Sequence, residues 1–346
     1  MTTPRIEGAW IDVFVDVFAR CGVGAGDACA VLSQTQSRPV LVQLSELALQ
    51  RLGARVFHVV MPARPLTSAV PVRSTGASDA IGALAPVVQA LAASTFIADC
   101  TVEGLQHAAE LPAILQGGAR VLVISNEHPE ILERCAPRDT DEAPVREAMR
   151  RLRAAATMQV TSAAGTDLRI ALSGARVGGV WGFTRKPGTL SHWPGGLVLA
   201  FPGAHSVHGQ LVLAPGDVNL SFKRYLQDAV RLTIEDDHVT DVVGDSVDAD
   251  LMRSQFDAWA HEGRAARAVS HVGWGLNARA RWDAMAFYDK ADFNGTELRA
   301  FAGNFLYSTG ANEVAGRHTL GHFDLPLRGC TVRLDGTAVV EDGVLV

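Results

Sequence analysis

No stretch of about 20 consecutive apolar residues occurs in the sequence, which excludes a membrane-spanning helix of ordinary length. There is no Cys-x-x-Cys pair, and the five cysteines, Cys21, Cys29, Cys100, Cys135 and Cys330, are scattered and odd in number. That argues against a disulfide framework and fits reduced thiols used as small buried residues, so a cytoplasmic location is expected. A long Lys/Arg run is also missing; the nearest, Arg146 to Arg153, reads as one face of a helix. With a formal charge of −6 the chain lacks the basic surface that nucleic acids or anionic membranes demand, and neither is expected as a partner. The opening residues, Met1-Thr-Thr-Pro-Arg5, lack the apolar segment of a signal peptide. No fixed-period repeat and no low-complexity tract interrupts the chain.

What is present is the balance of a globular protein: 48% hydrophobic and 20% charged residues over 346 positions, long enough for two cores. The first half alternates helix and strand. A helix is expected over 7–20, then apolar strands at 28–33, 54–61, 96–100 and 119–125. Helices from about Pro39 and near 79–93, 107–117 and 142–157 separate or follow them. Short apolar strands between helices imply a mostly parallel sheet covered on both faces. From about residue 158 the pattern changes: Val230, Leu232 and Ile234 alternate with polar residues, and Asp335-Gly336 marks a hairpin turn. Gly and Pro clusters at 187–203 and 214–217 read as loops, and one helix is expected at 249–262. The expected architecture is an α/β domain with a mainly parallel sheet over 1–157, then a β-rich (α+β) domain over 158–346. Gly22-Val-Gly-Ala-Gly26 follows a helix and precedes a strand, the wrong order for a dinucleotide loop, and reads as a plain turn.

Eleven histidines are present, and most need no functional account. Gly321-His-Phe-Asp-Leu-Pro-Leu327 differs. On a strand, residues two apart share a face, so His322 and Asp324 present an imidazole and a carboxylate side by side. Apolar flanks make a bare carboxylate costly there, and either a metal ion or a simple hydrogen-bonded pair answers that cost. His271 lies beside alternating glycines in Ser270-His-Val-Gly-Trp-Gly-Leu276, as a cavity-facing residue or as an incidental one in a Gly-rich bend. Together, His271, His322 and Asp324 compose the two-His, one-carboxylate set that leaves open positions on Fe(II). His318 is the rival ligand. His107, after the strand at 96–100, and His192, in a Trp- and Pro-containing loop, are acid–base candidates or structural residues.

Four segments in order, Ser191-His-Trp-Pro-Gly-Gly196, Ser270–Leu276, Gly303-Asn-Phe-Leu-Tyr-Ser-Thr-Gly310 and His322-Phe-Asp-Leu-Pro-Leu-Arg328, resemble 2,5-dihydroxypyridine 5,6-dioxygenases, ring-opening enzymes of nicotinate breakdown. The resemblance is collinear over about 185–342 and looser before that. It implies a mononuclear Fe(II) centre on His271, His322 and Asp324, with His107 and His192 lining the pocket as catalytic residues. It also implies O2 and a small aromatic substrate as reactants, and a homo-oligomer, a hexamer. Wider kin are two-metal aminopeptidases of the thermophilic T and S type; a complete second ligand set is not found here, which favours oxygen chemistry over a metallo-hydrolase. Two positions depart from the family pattern: Gln106 stands where Leu is expected before the first pocket histidine, and Val180 where Glu is expected twelve residues before the second. Both are therefore candidate substrate-binding positions at which specificity differs.

Overall fold

The computed structural model describes residues 5–65, 68–69 and 78–346. The N-terminal half runs α1 (Gly8–Arg20), β1 (Ala28–Gln34), α2 (Pro39–Arg51), β2 (Arg55–Met61), α3 (Ala85–Ala92), β3 (Phe96–Asp99), α4 (Leu111–Gln116), β4 (Arg120–Ile124), α5 (Pro129–Arg134) and α6 (Glu142–Ala154). Strands β1 to β4 pair only in parallel. Alternation along each strand sends neighbours to opposite faces. Val31, Ala98 and Leu122 pack with Phe14, Phe18, Leu41 and Leu44 of α1 and α2. Leu32, Ile97 and Val121 pack on the other face with Leu91 of α3 and Ile114 of α4. The expected parallel sheet with two covered faces is present. Two helices are shorter than expected: α3 begins at Ala85 rather than near 79, and α4 at Leu111 rather than near 107. Each has a proline, Pro86 or Pro112, in its first turn, where a missing N–H costs nothing and the helix starts.

The remainder is mostly antiparallel. It comprises β5 (Thr157–Ser162), β6 (Asp167–Ala171), β7 (Arg176–Val180), β8 (Leu190–Trp193), β9 (Leu197–Phe201), β10 (Val207–Leu213) and the small ribbon β11 (Val218–Asn219) and β12 (Arg224–Tyr225). Then come β13 (Val230–Glu235), β14 (His238–Val243), α7 (Val247–Ala258), β15 (Val269–Gly275), α8 (Thr296–Ala300), β16 (Phe305–Thr309) and β17 (Phe323–Leu327). The chain ends with β18 (Cys330–Leu334), β19 (Thr337–Glu341) and β20 (Val344–Leu345). One sheet has eight strands in the order β14-β13-β10-β6-β5-β18-β19-β20, and another five in the order β17-β16-β15-β9-β7. Both face one core that includes Val160, Leu232, Trp274, Phe305 and Leu325.

The segment 187–203 is not the loop expected from its glycines and prolines. It holds β8 and β9. β8 leaves its sequence neighbours and pairs in parallel with β4, completing the order β2-β1-β3-β4-β8. Unlike the equally short β3, Leu190-Ser-His-Trp193 holds two polar residues at its middle and forms no apolar run; the pairing with β4 makes the strand. Among the described residues, no helix is long and apolar enough to cross a membrane.

Candidate metal centre and active site

Cross-strand register assembles the site. On the five-stranded sheet, His271 of β15 lies opposite Ser308 of β16, and Ser308 lies opposite Asp324 of β17. His322 precedes Asp324 by two residues and joins it on the same face. The side chains of His271, Ser308, His322 and Asp324 are all buried. His322 Nε2 stands 3.0 Å from Asp324 Oδ1 and His271 Nε2 stands 3.6 Å from the same oxygen. Ser308 Oγ is 2.9 Å from His271 Nε2 and donates to Asp324 Oδ1. A bulge between Val269 and His271 turns Ser270 beside the ring. Ser270 Oγ donates to the Ala311 carbonyl at 2.6 Å and so accepts from His271 Nδ1 at 3.1 Å. That assigns the imidazole proton to Nδ1 and leaves a bare lone pair on Nε2.

The N-terminal domain supplies the opposite wall. Buried Asp99 at the end of β3 accepts from Thr101 N at 3.0 Å, Thr101 Oγ1 at 2.6 Å and Leu105 N at 2.8 Å, fixing the turn that carries Gln106 and His107. Gly104 within that turn has φ +77°, and an added Cβ would collide with the Gln106 amide and Val123. One ring nitrogen from each of His107, His271 and His322 lies within 4.8 Å of the other two. His107 is stacked on His271 with centroids 6.0 Å apart and lies 5.2 Å from the His322 ring. Phe201 closes the edge, 5.3 Å from His271. Outside this cluster a cavity of about 780 Å³ is lined by His107, Gln106, Arg176, Phe201 and Asn312.

Burial dominates the electrostatics. It pushes the His271 imidazole down to about 3 and His192 to about 4, and holds His107 well below its usual value, where His322 and His271 add to the effect. All three are neutral at physiological pH. Burial alone would raise Asp324; the facing His322 and the Arg299 guanidinium outweigh it and hold the carboxylate well below its usual range. Arg299 Nε donates to Asp324 Oδ2 at 2.5 Å, which leaves Oδ1 to face the histidines. His192 Nδ1 donates to the Pro194 carbonyl at 2.7 Å, so its Nε2 carries the free lone pair.

These donors suit a divalent cation. The Ser308 hydroxyl has one hydrogen for two acceptors, Asp324 Oδ1 and the bare Nε2 of His271. A cation among these lone pairs removes that conflict, and neutral imidazoles with one carboxylate are its usual ligands.

The structure brings His271, His322, Asp324 and His107 together, and places His192 buried on β8. His318 is exposed at the outer cavity, apart from the three-histidine cluster. Gln106 lines that cavity, with a buried Oε1 that lacks a hydrogen-bond partner. Val180 sits four residues along β7 from Arg176, the residue by which that strand reaches the cavity, and is not among its lining. Ser308 and Arg299 were not singled out from the sequence. Ser308 lies inside the Gly303–Gly310 segment, and only the strand register marks it; Arg299 carries no sequence signal at all.

A family model of 2,5-dihydroxypyridine 5,6-dioxygenases (NicX) matches residues 9–346. The chain belongs to that family. It is 35% identical over 338 residues to the 2,5-dihydroxypyridine 5,6-dioxygenase of Pseudomonas putida, covering 96% of this chain and 95% of the relative. The solved 2,5-dihydroxypyridine dioxygenase of Pseudomonas putida KT2440 superposes with a TM-score of 0.90 at 34% identity, covering 99% and 98% of the two chains. The aminopeptidase AmpT of Thermus thermophilus gives 0.66 at 15% identity, over 98% of this chain and 99% of that one, a likeness of fold alone.

Proposed function

We propose that this chain opens the ring of a hydroxylated pyridine, or a related hydroxylated aromatic, with O2, using one Fe(II) held by His271, His322 and Asp324. The observation that carries the reading is the convergence of His271 Nε2, His322 Nε2 and Asp324 Oδ1 on one buried point, in a chain of this family. When bound, such an ion supplies redox capacity and open coordination positions. The protein supplies the rest. Arg299 and Ser308 fix the Asp324 carboxylate, and Ser270 fixes the His271 tautomer. His107, neutral and facing the cavity, takes the hydroxyl proton of a bound substrate; His192 Nε2 accepts a hydrogen bond from the ring or from a protonated oxygen. Phe201 and the buried sheet face exclude water from the reacting atoms.

The test is anaerobic reconstitution with Fe(II), followed by O2 uptake and product mass with a panel of hydroxylated pyridines. One iron per chain, stoichiometric O2 consumption and a product heavier by two oxygen atoms are expected. A loaded protein that consumes no O2 with any member, or that instead hydrolyses peptides with a bound metal, overturns the reading.

A further inference from the structure

The Arg299 guanidinium is 4% exposed and makes one hydrogen bond, from Nε to Asp324. Its Nη1 and Nη2 are buried and lack hydrogen-bond partners among the described residues. Four N–H donors taken out of water without acceptors are expensive, and a folded protein retains such a group where something else completes it. The guanidinium touches Asp324 directly and so borders the centre. Glu127 does not complete it: its oxygens accept from the backbone N–H groups of Asn294, Gly295 and Thr296 at 2.6–2.8 Å, and no hydrogen bond joins it to the guanidinium.

Charge leads the same way. A divalent ion together with Arg299 exceeds Asp324 in charge, and counting Glu127 as ionised still leaves a positive excess. A buried centre of that kind favours a ligand that arrives as an anion.

We infer that Arg299 is a ligand-binding residue: Nε holds Asp324 while Nη1 and Nη2 donate to an anionic oxygen on the aromatic substrate. This rests on the proposed function for the identity of the ligand, and extends it by naming the protonation state selected. Two sources carry that chemistry, an ionised ring hydroxyl and a carboxylate substituent. In either case the group held by Arg299 has left its proton to solvent before binding, and the guanidinium lowers its pKa relative to water; the proton that His107 takes after binding is that of the other ring hydroxyl. A planar fork reads an oxyanion by direction as well as charge, which the point charge of a lysine does not reproduce.

The experiment is anaerobic binding of 2,5-dihydroxypyridine and of 2,5-dihydroxynicotinate to Fe(II)-loaded wild type, Arg299→Lys and Arg299→Met, read by ligand absorption across pH, with iron content measured alongside. Wild type should bind its ligand as the anion at pH values where the free compound is neutral. Arg299→Met should weaken binding about 10- to 100-fold and return the bound spectrum to that of the neutral form. Arg299→Lys should retain iron and fall between. Equal losses for both compounds assign the fork to the ring oxygen; a loss confined to the nicotinate assigns it to the carboxylate. Unchanged affinity and spectrum in both variants overturn the inference, as does loss of iron in both, which makes Arg299 a support for Asp324 only. Failure of the proposed function shows separately, as absence of O2 uptake by wild type whatever the binding.

Discussion

Ser308 and Asp324 are directly paired across β16 and β17, and the Ser308 hydroxyl donates to Asp324 Oδ1. The same Oγ is 2.9 Å from the proton-free nitrogen of His271, so one hydroxyl ties together residues from three adjacent strands. Ser308→Ala should fold normally yet weaken iron retention about 10- to 100-fold, the usual effect of losing a group that orients ligands. Iron titration against a competing chelator measures this; an unchanged affinity removes Ser308 from the centre.

Asp324 faces a buried guanidinium, so its removal strikes both metal and fold. Asp324→Ala leaves Arg299 without a counter-charge, which costs about 3–5 kcal/mol when one partner of a buried pair is deleted. Asp324→Asn keeps the shape and isolates the loss of charge. Both should fail to retain iron, with Asp324→Ala melting lower than Asp324→Asn. Near-normal iron in Asp324→Asn contradicts a ligand role.

His107 separates two ligand sets. As a proton acceptor above the centre, His107→Ala should keep iron and lose about 10²–10⁴ in turnover. One of its ring nitrogens is nevertheless within 4.8 Å of one from each of His271 and His322. A variant that loses iron along with turnover makes His107 a ligand, with Asp324 as the anion behind.

His192 predicts a pH dependence of stability. Its imidazole is depressed to about 4 when folded, against an ordinary value near 6.5. The unfolded chain therefore binds the extra proton first as pH falls below about 6.5, and stability drops between there and about 4, by on the order of 3 kcal/mol in total. Above about 6.5 the contribution is flat. His192→Gln should shallow this slope in urea titrations at pH 7 and pH 5, and an identical slope refutes the assignment.

Gln106 is testable by subtraction. Its Oε1 is buried without a partner, so Gln106→Leu should leave stability unchanged or raise it by about 1 kcal/mol. Paired with a substrate panel, the same variant shows whether the amide serves the ligand. If it does, activity shifts towards ring compounds lacking a further polar group.

The elements of the N-terminal half, the six-residue α5 apart, were legible because each is a self-contained run of strand or helix length, as at Arg120–Ile124. The β8 strand was not, because Leu190-Ser-His-Trp193 is no apolar run and acquires its state only by pairing with β4. At the site, His322 and Asp324 were legible from their spacing, and His271 from the glycines around it. Ser308, within the Gly303–Gly310 segment, and Arg299, on α8, meet the site only through residues distant in sequence, and no local pattern gives either a role. Val180, marked by the resemblance as standing where Glu is expected twelve residues before His192, lies at the end of β7 and is not among the residues lining the outer cavity.

The excursion of β8 into the parallel sheet has a consequence for synthesis on the ribosome. The edge of β4 stays unpaired until Leu190–Trp193 have emerged. By then β5 to β7 are already out of the exit tunnel, and two of their partner strands, β18 for β5 and β9 for β7, have yet to be made. Neither half can therefore finish while the other waits in solution, as independent domains would. A nascent chain arrested shortly before residue 190 should expose β4 to proteases, and one arrested far enough beyond residue 201 to free β9 should protect it. The candidate metal centre, which draws His107 from the first half and His271, His322 and Asp324 from the second, cannot assemble until residue 324 has emerged.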